Sequence, residues 1–230
     1  MKKSKKSSDK KNNNSLAAIA YEKIKRMIIT LHYKPGEYLN ESEICNELNF
    51  TRAPVHQAIH RLVSDKLVQI IPRKGVIVQP ISLDEITHII EVRNINEPYC
   101  CMRAAENATP KEIDQMVALL DKAPQMIEDR DIVGLVDLDN QFHLMIANAS
   151  KNPVLADILS GLYSRISRYW VATWTNSKKL QLVYDEHLNI LKKIKSRNAK
   201  AAASAMEEHI GSIDLTQLYG PIIRSKSHQR

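Results

Sequence analysis

Residues 40–80 read NESEICNELNFTRAPVHQAIHRLVSDKLVQIIPRKGVIVQP, and the order of signals in this stretch decides the fold of the N-terminal part of the chain. Asn40 can N-cap a helix, with Glu43 three positions on to close a capping box and Ile44 and Leu48 facing inward. That helix ends near Leu48. Thr51 can cap a second helix, in which Pro54 sits in the tolerated first turn and Val55, Ile59 and Leu62 form the buried stripe. The opposite face presents Arg52, His56, Gln57 and His60 about one turn apart, a length and chemistry suited to the major groove, where Arg pairs with guanine and Gln with adenine. Beyond it, Leu67–Ile71 and Val76–Val78 flank Pro72-Arg73-Lys74-Gly75, so a hairpin carries two cations at its tip, aimed at phosphate or the minor groove. Upstream, residues 16–31 read as a helix with Leu16, Ile19, Ala20, Ile24, Met27, Ile28 and Leu31 on its apolar face, stopped by Pro35-Gly36. Two short helices and a basic hairpin in this order predict a winged helix-turn-helix over residues 15–80, and with it the binding of duplex DNA.

The distribution of charge points the same way. Net charge is +7 over 230 residues. Residues 1–14 hold six Lys against one Asp, residues 15–82 nine cations against six acids, and residues 83–218 only 15 cations against 19 acids. Basic charge is thus concentrated in a tail over 1–14, expected to be disordered, and in the module behind it, where phosphate attraction makes binding salt-dependent. A Lys-rich arm is more often a solvated, disordered tail than a specific contact. Residues 219–230 add three cations and read as a second flexible tail.

At this length, 43% hydrophobic and with only 6 Gly, the chain fits two domains rich in helix. The basic start is not followed by the apolar segment of a signal peptide, and no run approaches the roughly 18 apolar residues of a membrane span. A cytoplasmic protein with no membrane partner is expected. Three Cys, two of them adjacent at 100 and 101, give no disulfide framework. The adjacent pair reads either as a thiol sensor or as two small buried hydrophobes.

Beyond Pro80 the pattern turns to long helices: about 83–107, a second from Thr109-Pro110-Lys111-Glu112 past Pro124 to Ile127, then about 131–149, 153–174, 178–196 and 198–217. This predicts a mainly α chain whose C-terminal part, 83–218, is an antiparallel all-α bundle of about six helices. Within it, Asp139 and His143 share one helix face at i, i+4, and His187 and His209 follow on the fifth and sixth helices. Three imidazoles and a carboxylate suit Zn²⁺, Ni²⁺, Mn²⁺ or Fe²⁺ with positions left for water or an anion. Spacing alone leaves a hydrogen-bonded core cluster as the alternative.

Several motifs in fixed order resemble the GntR family of bacterial regulators. They are PGEYLNESEICNELNFTRAPVHQAIHRLVSDKLV with the wing PRKGVIV, then EVRNINEP, DNQFH, EHLNILKKI and AAASAMEEHI, and the later ones resemble the FadR-type FCD effector domain. The likeness runs from about Leu16 to Leu218. It implies a homodimeric transcription factor, not an enzyme, that binds a palindromic operator and whose bundle takes a small organic acid or sugar acid beside a divalent metal, zinc foremost. It also implies Asp139, His143, His187 and His209 as the metal ligands. By the same likeness Arg52 and Arg61 match recurrent recognition-helix arginines, and Lys74-Gly75 match the wing. His56 stands where the family usually has Arg and Gln57 where Glu is common, so a different operator is implied.

Arg93 in EVRNINEP matches a recurrent Arg of the first bundle helix and can clamp a carboxylate in bidentate fashion, or form an ion pair with Glu97. Arg165, Arg168, Tyr169 and Trp174 are candidates for the same cavity or for the core, and Glu186 can orient a ligand from behind or face water. Two other readings use the same residues. A metal hydrolase needs a general base near metal-bound water, which no HExxH-like helix provides, and a metal-free sensor would keep the His set as a polar network.

Overall fold

The computed structural model of the chain describes residues 5–174 and 177–213. The described residues divide into two compact units, one up to Ile81 and one from Ser82.

In the first unit, helix α1 spans Lys5–Ile29. It takes in most of the basic segment expected to be disordered, because no Gly or Pro interrupts residues 5–29. Its inward face is Ala20, Tyr21, Ile24 and Ile28, whereas Ile19, expected on that face, lies beside the stripe and is 46% exposed. Helix α2, Glu41–Leu48, is capped by Asn40, whose side chain accepts from the Ser42 amide at 3.0 Å and donates to Glu43 at 2.9 Å. The capping box therefore closes through the Asn amide rather than through its backbone. Asn49 ends the helix in the left-handed region, φ 55°, a conformation that Asn tolerates better than most residues.

Helix α3, Arg52–Ser64, starts after Thr51, but the Thr51 side chain makes no capping bond. Pro54 is the third residue of the helix and has no N–H to offer it. Val55, Ala58, Ile59 and Leu62 are buried against Ala20, Ile24, Ile28 and Ile44, which places α1 and α2 behind α3. Strands β2, Val68–Ile71, and β3, Gly75–Val78, pair antiparallel from Val68–Val78 to Ile71–Gly75. Arg73 (φ 63°) and Gly75 (φ 108°) both take left-handed conformations that let the chain reverse over three residues. A third strand, β1, Tyr38–Leu39, pairs on the far side of β3. At two residues it is too short to announce itself by alternation.

The second unit is helical throughout its described length. Helix α4, Leu83–Asn107, starts at the Ser82 cap, and α5, Pro110–Leu120, starts at a complete capping box of Thr109 and Glu112. The helix expected to run on to Ile127 breaks, and a separate helix α6 spans Ala123–Glu128. Pro124 is the cause: it cannot donate to the Leu120 carbonyl and its ring crowds that position. Helices α7, Ile132–Ala149, α8, Pro153–Thr173, α9, Ser177–Lys195, and α10, Ala199–Gly211, complete the unit, so seven helices stand among the described residues where about six were expected. The tail 219–230 and the stretch 214–218 lie outside the described residues. No described helix is long and apolar enough to cross a membrane.

The bundle core buries Ile113, Met116, Leu120, Leu135, Ile190 and Ile194. Burying each such side chain stabilises by about 1.5–3 kcal/mol. This apolar burial offsets the cost of a polar cluster buried among α4, α7, α9 and α10, described next.

Candidate functional site

Asp139 and His143 project from one face of α7, His187 from α9 and His209 from α10, and all four are buried. Their ligating atoms lie within 4.8 Å of one another. The His187 and His209 Nε2 atoms are 3.2 Å apart, the His209 and His143 Nε2 atoms 3.3 Å, and Asp139 Oδ1 is 3.4 Å from His187 Nε2 and 3.7 Å from His143 Nε2. Metal–nitrogen bonds of about 2.0–2.1 Å at tetrahedral angles separate ligand atoms by about 3.4 Å, so this spacing is that of a coordination shell.

The surrounding carboxylates decide which ring nitrogens face inward. Glu97 Oε2 lies 2.6 Å from His143 Nδ1, and Glu186 Oε2 lies 2.7 Å from His209 Nδ1. Glu186 can hold a proton on His209 Nδ1 and leave its Nε2 with a free lone pair, whereas Glu97 lies in close contact with His143 Nδ1 outside hydrogen-bond geometry and sets a negative charge behind that ring. Burial, together with the neighbouring His209 and His143, holds His187 well below its ordinary value, and burial also lowers His209 against the pull of Glu186. Neutral imidazoles with lone pairs directed at one point fit a divalent ion better than they fit one another, since a nitrogen pair in direct contact needs a shared proton.

Behind His143 stands an ion pair. Arg93 Nε is 2.5 Å from Glu97 Oε1, and both side chains are 2% exposed. Burial opposes both charges, yet each partner's charge outweighs it: Glu97 keeps Arg93 firmly protonated, and Arg93 with His143 holds the Glu97 carboxyl far below the usual range. Arg93 thus makes the ion pair named as its alternative role. It also forms part of the wall of a cavity of about 50 Å³, together with Asp139, Trp170, Trp174, Lys179 and His209.

Of the other residues offered for that cavity, only Trp174 lines it. Arg165 is drawn to Glu85 near the start of α4, and Arg168 and Tyr169 are buried elsewhere in the bundle wall. Trp170 and Lys179 take their place. Trp170 is one helical turn before Trp174, a spacing open to the sequence reader, but nothing distinguishes Lys179 from its neighbour Lys178. Glu97 was foreseen as a partner of Arg93, not as the orienter of His143. Cys100 and Cys101 are buried near Glu97, and burial pushes the Cys100 thiol up to about 11 and Cys101 further, which makes them inert hydrophobes rather than sensors.

In the first unit, Arg52, His56, Gln57 and His60 lie on the exposed face of α3, opposite its buried stripe, and Arg73, Lys74 and Gly75 are exposed at the tip of the β2–β3 hairpin. Arg61 is exposed but stacks on the Tyr21 ring at 3.7 Å, while Tyr21 donates to Asp65 at 2.5 Å. Its guanidinium is therefore tied to the α1 side of the module.

Comparison with known proteins gives the family. The model of bacterial regulatory proteins of the gntR family matches residues 16–78, and the FCD domain model matches residues 88–212, more than half of the chain. The chain belongs to the GntR family, in its FCD-domain branch. Members with this pair of domains are DNA-binding transcriptional regulators, not enzymes. The HTH-type transcriptional repressor RspR of Escherichia coli K12 is 25% identical over 193 residues, covering 84% of this chain and 85% of the relative. The Nta operon transcriptional regulator of Aminobacter aminovorans is 25% identical over 186 residues, covering 80% and 86%. In fold, McbR/YncC of E. coli superposes with a TM-score of 0.80 at 22% identity, covering 89% of this chain and 98% of the other.

Proposed function

We propose that this GntR regulator works as a homodimer on a palindromic operator, and that a small organic acid bound beside a divalent metal in its bundle sets its affinity for DNA. The observation that carries this reading is the convergence of three imidazole nitrogens and the Asp139 carboxylate, each 3.2–3.7 Å from another, with Glu186 hydrogen-bonded behind His209 and the Glu97 carboxylate in contact behind His143. When bound, the ion supplies a positive centre with coordination positions open to an anion. Zn²⁺ is the first expectation from the donor set, with Ni²⁺, Mn²⁺ and Fe²⁺ as the other candidates.

The chain's own residues do the rest. Lys179 and Arg93 put cationic character into the cavity wall, and Trp170 and Trp174 give it apolar faces that exclude water and strengthen the attraction of a carboxylate. The narrow volume favours a compact acid over a sugar acid. His187 and His209 come from α9 and α10, Asp139 from α7 and Arg93 from α4, so a ligand that prefers one arrangement of these helices shifts the populations of two bundle states. Coupling to the dimer then changes the fit of two copies of α3 to half-sites about one helical turn apart. Arg52, His56, Gln57 and His60 would read base edges, with Arg73, Lys74 and Gly75 on the backbone or minor groove and Arg61 limited to phosphate by its stack on Tyr21.

The test is a thermal-shift screen of organic and sugar acids on zinc-loaded, untagged protein, followed by operator binding at fixed salt. An acid present at 100 times its Kd stabilises the folded state by about 2.7 kcal/mol. Hits that raise the melting temperature only with metal present, and that change operator affinity, support the reading. Acids that stabilise metal-free protein equally favour a metal-free sensor.

A further inference from the structure

The exposed face of α3 carries two histidines one turn apart, His56 and His60, and their geometry is that of a chelate. The His56 and His60 Nε2 atoms are 3.2 Å apart, with ring centroids 4.6 Å apart and planes at 80°. Two nitrogens at about 2.1 Å from one ion are separated by about 3.0 Å at a right angle and about 3.4 Å at a tetrahedral angle, and the observed spacing falls between. Behind His56, Glu41 at the start of α2 places its carboxylate oxygens 3.3 and 3.4 Å from Nδ1. This repeats the arrangement of the bundle, where a carboxylate lies against Nδ1 and Nε2 faces the other imidazoles. The same Glu41 is 3.9 Å from Arg52 Nε, so one carboxylate holds both a candidate base reader and a candidate ligand.

We propose that His56 and His60 form a second metal site, a two-nitrogen chelate for a divalent transition ion on the DNA-facing helix, separate from the site of the bundle. Water completes the coordination. The two Nε2 atoms already stand at chelating distance, so chelation needs no rearrangement of α3. Imidazole pairs of this kind favour Cu²⁺, Ni²⁺ and Zn²⁺ over Mg²⁺ or Ca²⁺, following ligand softness and the usual order of divalent affinities. Chelation fixes both rings on each other and away from base edges. Resting on the reading of this face as the operator-reading surface, metal at this site and sequence-specific DNA exclude one another.

The experiment is equilibrium dialysis of the full, untagged chain against Ni²⁺, with bound metal counted by atomic spectroscopy, for wild type, His60→Ala and His60→Gln. Residue 60 is exposed and outside the hydrophobic core, so both variants keep the fold. The expected result is one Ni²⁺ fewer per chain in both variants than in wild type, whatever the bundle holds, and a loss of about tenfold in affinity at this site in Glu41→Gln. Equal stoichiometry in wild type and variants overturns the proposal. The second arm measures binding to a duplex that the wild type selects from a randomised pool. At ten times the Ni²⁺ dissociation constant, Ni²⁺ should lower the operator affinity of the wild type by at least about tenfold and leave that of His60→Gln at the variant's own metal-free value, whatever that value is. A lost Ni²⁺ without any change in operator affinity upholds the chelate and overturns the reading of this face as the DNA reader, so the two claims fail separately.

Discussion

Replacing Glu97 by Gln removes one charge without changing shape, and it strikes the two functions of that carboxylate at once. Glu97 faces Arg93 Nε at 2.5 Å through one oxygen and His143 Nδ1 at 2.6 Å through the other, with both carboxylate and guanidinium 2% exposed. Without the negative charge, Arg93 stays buried with no counterion in contact, and breaking a buried pair from one side costs about 3–5 kcal/mol. Asp139 also attracts Arg93 electrostatically, which sets the expected loss in metal-free protein at the lower end, about 3 kcal/mol. For a chain of this size that is a fall of roughly 6–12 °C in melting temperature. The amide also removes the negative charge that stands behind His143 Nδ1, and losing such a partner costs about 10–100-fold in metal affinity. Urea unfolding of metal-free wild type and variant reads the first number, and zinc competition against a chromophoric chelator reads the second. A variant within about 1 kcal/mol of wild type would refute the pairing of Arg93 with Glu97 as the support of this site. Full stability loss with unchanged zinc affinity would refute the role of Glu97 behind His143.

Four further substitutions test other parts of the structure. Glu112 closes the α5 capping box and takes a hydrogen bond from Lys151 at 2.6 Å; that bond first, and the Thr109 amide second, hold its carboxyl down to about 2. Because its folded value is depressed, its stabilisation is complete above the unfolded value of 4.5 and is lost as pH falls through about 2, so Glu112→Gln, discounted for solvent screening of a partly exposed pair, should cost about 1 kcal/mol at pH 7 and progressively less below pH 4.5. A difference between wild type and variant in denaturant midpoint that is independent of pH would contradict this. Gly134 donates its amide to Asp131, the α7 cap, at 2.9 Å, and a β-carbon at 134 would run into that same carboxylate. Gly134→Ala should therefore destabilise the bundle by about 1 kcal/mol despite the helix preference of Ala, and a stabilised variant in thermal unfolding would show the cap to be dispensable. On DNA, Arg52→Ala should cost about 1–3 kcal/mol on the selected operator and relax one base position, while Lys74→Ala should weaken all duplexes alike and lower the salt slope by about one. Equal effects of the two on every duplex would place both on phosphate.

How far the sequence could be read follows from where its signals are local. Caps, breakers and one-turn spacings act within a few residues, and so α2, α3 and the β2–β3 wing stand where Asn40, Thr51 and the PRKG turn put them. The same locality limits the reading. That Thr51 makes no capping bond depends on Pro54 three positions on, which was legible, but β1 exists only because β3 passes beside it, which was not. In the bundle, Asp139 and His143 pair by their spacing, and the sequence offers His187 and His209 as completing residues; that they meet rests on the packing of α9 and α10 against α7, which spacing along the chain leaves open beside a hydrogen-bonded core cluster and which the family likeness implies. Arg165 was offered to the cavity because it lies on the right helix, yet its partner Glu85 is 80 positions away in sequence and outcompetes the cavity for it. Long side chains choose among distant partners, and spacing along one helix does not rank them.

The central claim concerns the four side chains that α7, α9 and α10 bring together. Untagged protein purified without chelator and analysed for first-row metals should carry one ion per chain at this site, lost when His143 or His187 is replaced by Ala. A bundle that stays folded at neutral pH with no metal in wild type, and with no uptake on dialysis against Zn²⁺, would mean that these nitrogens and this carboxylate are a polar core network and not a coordination shell.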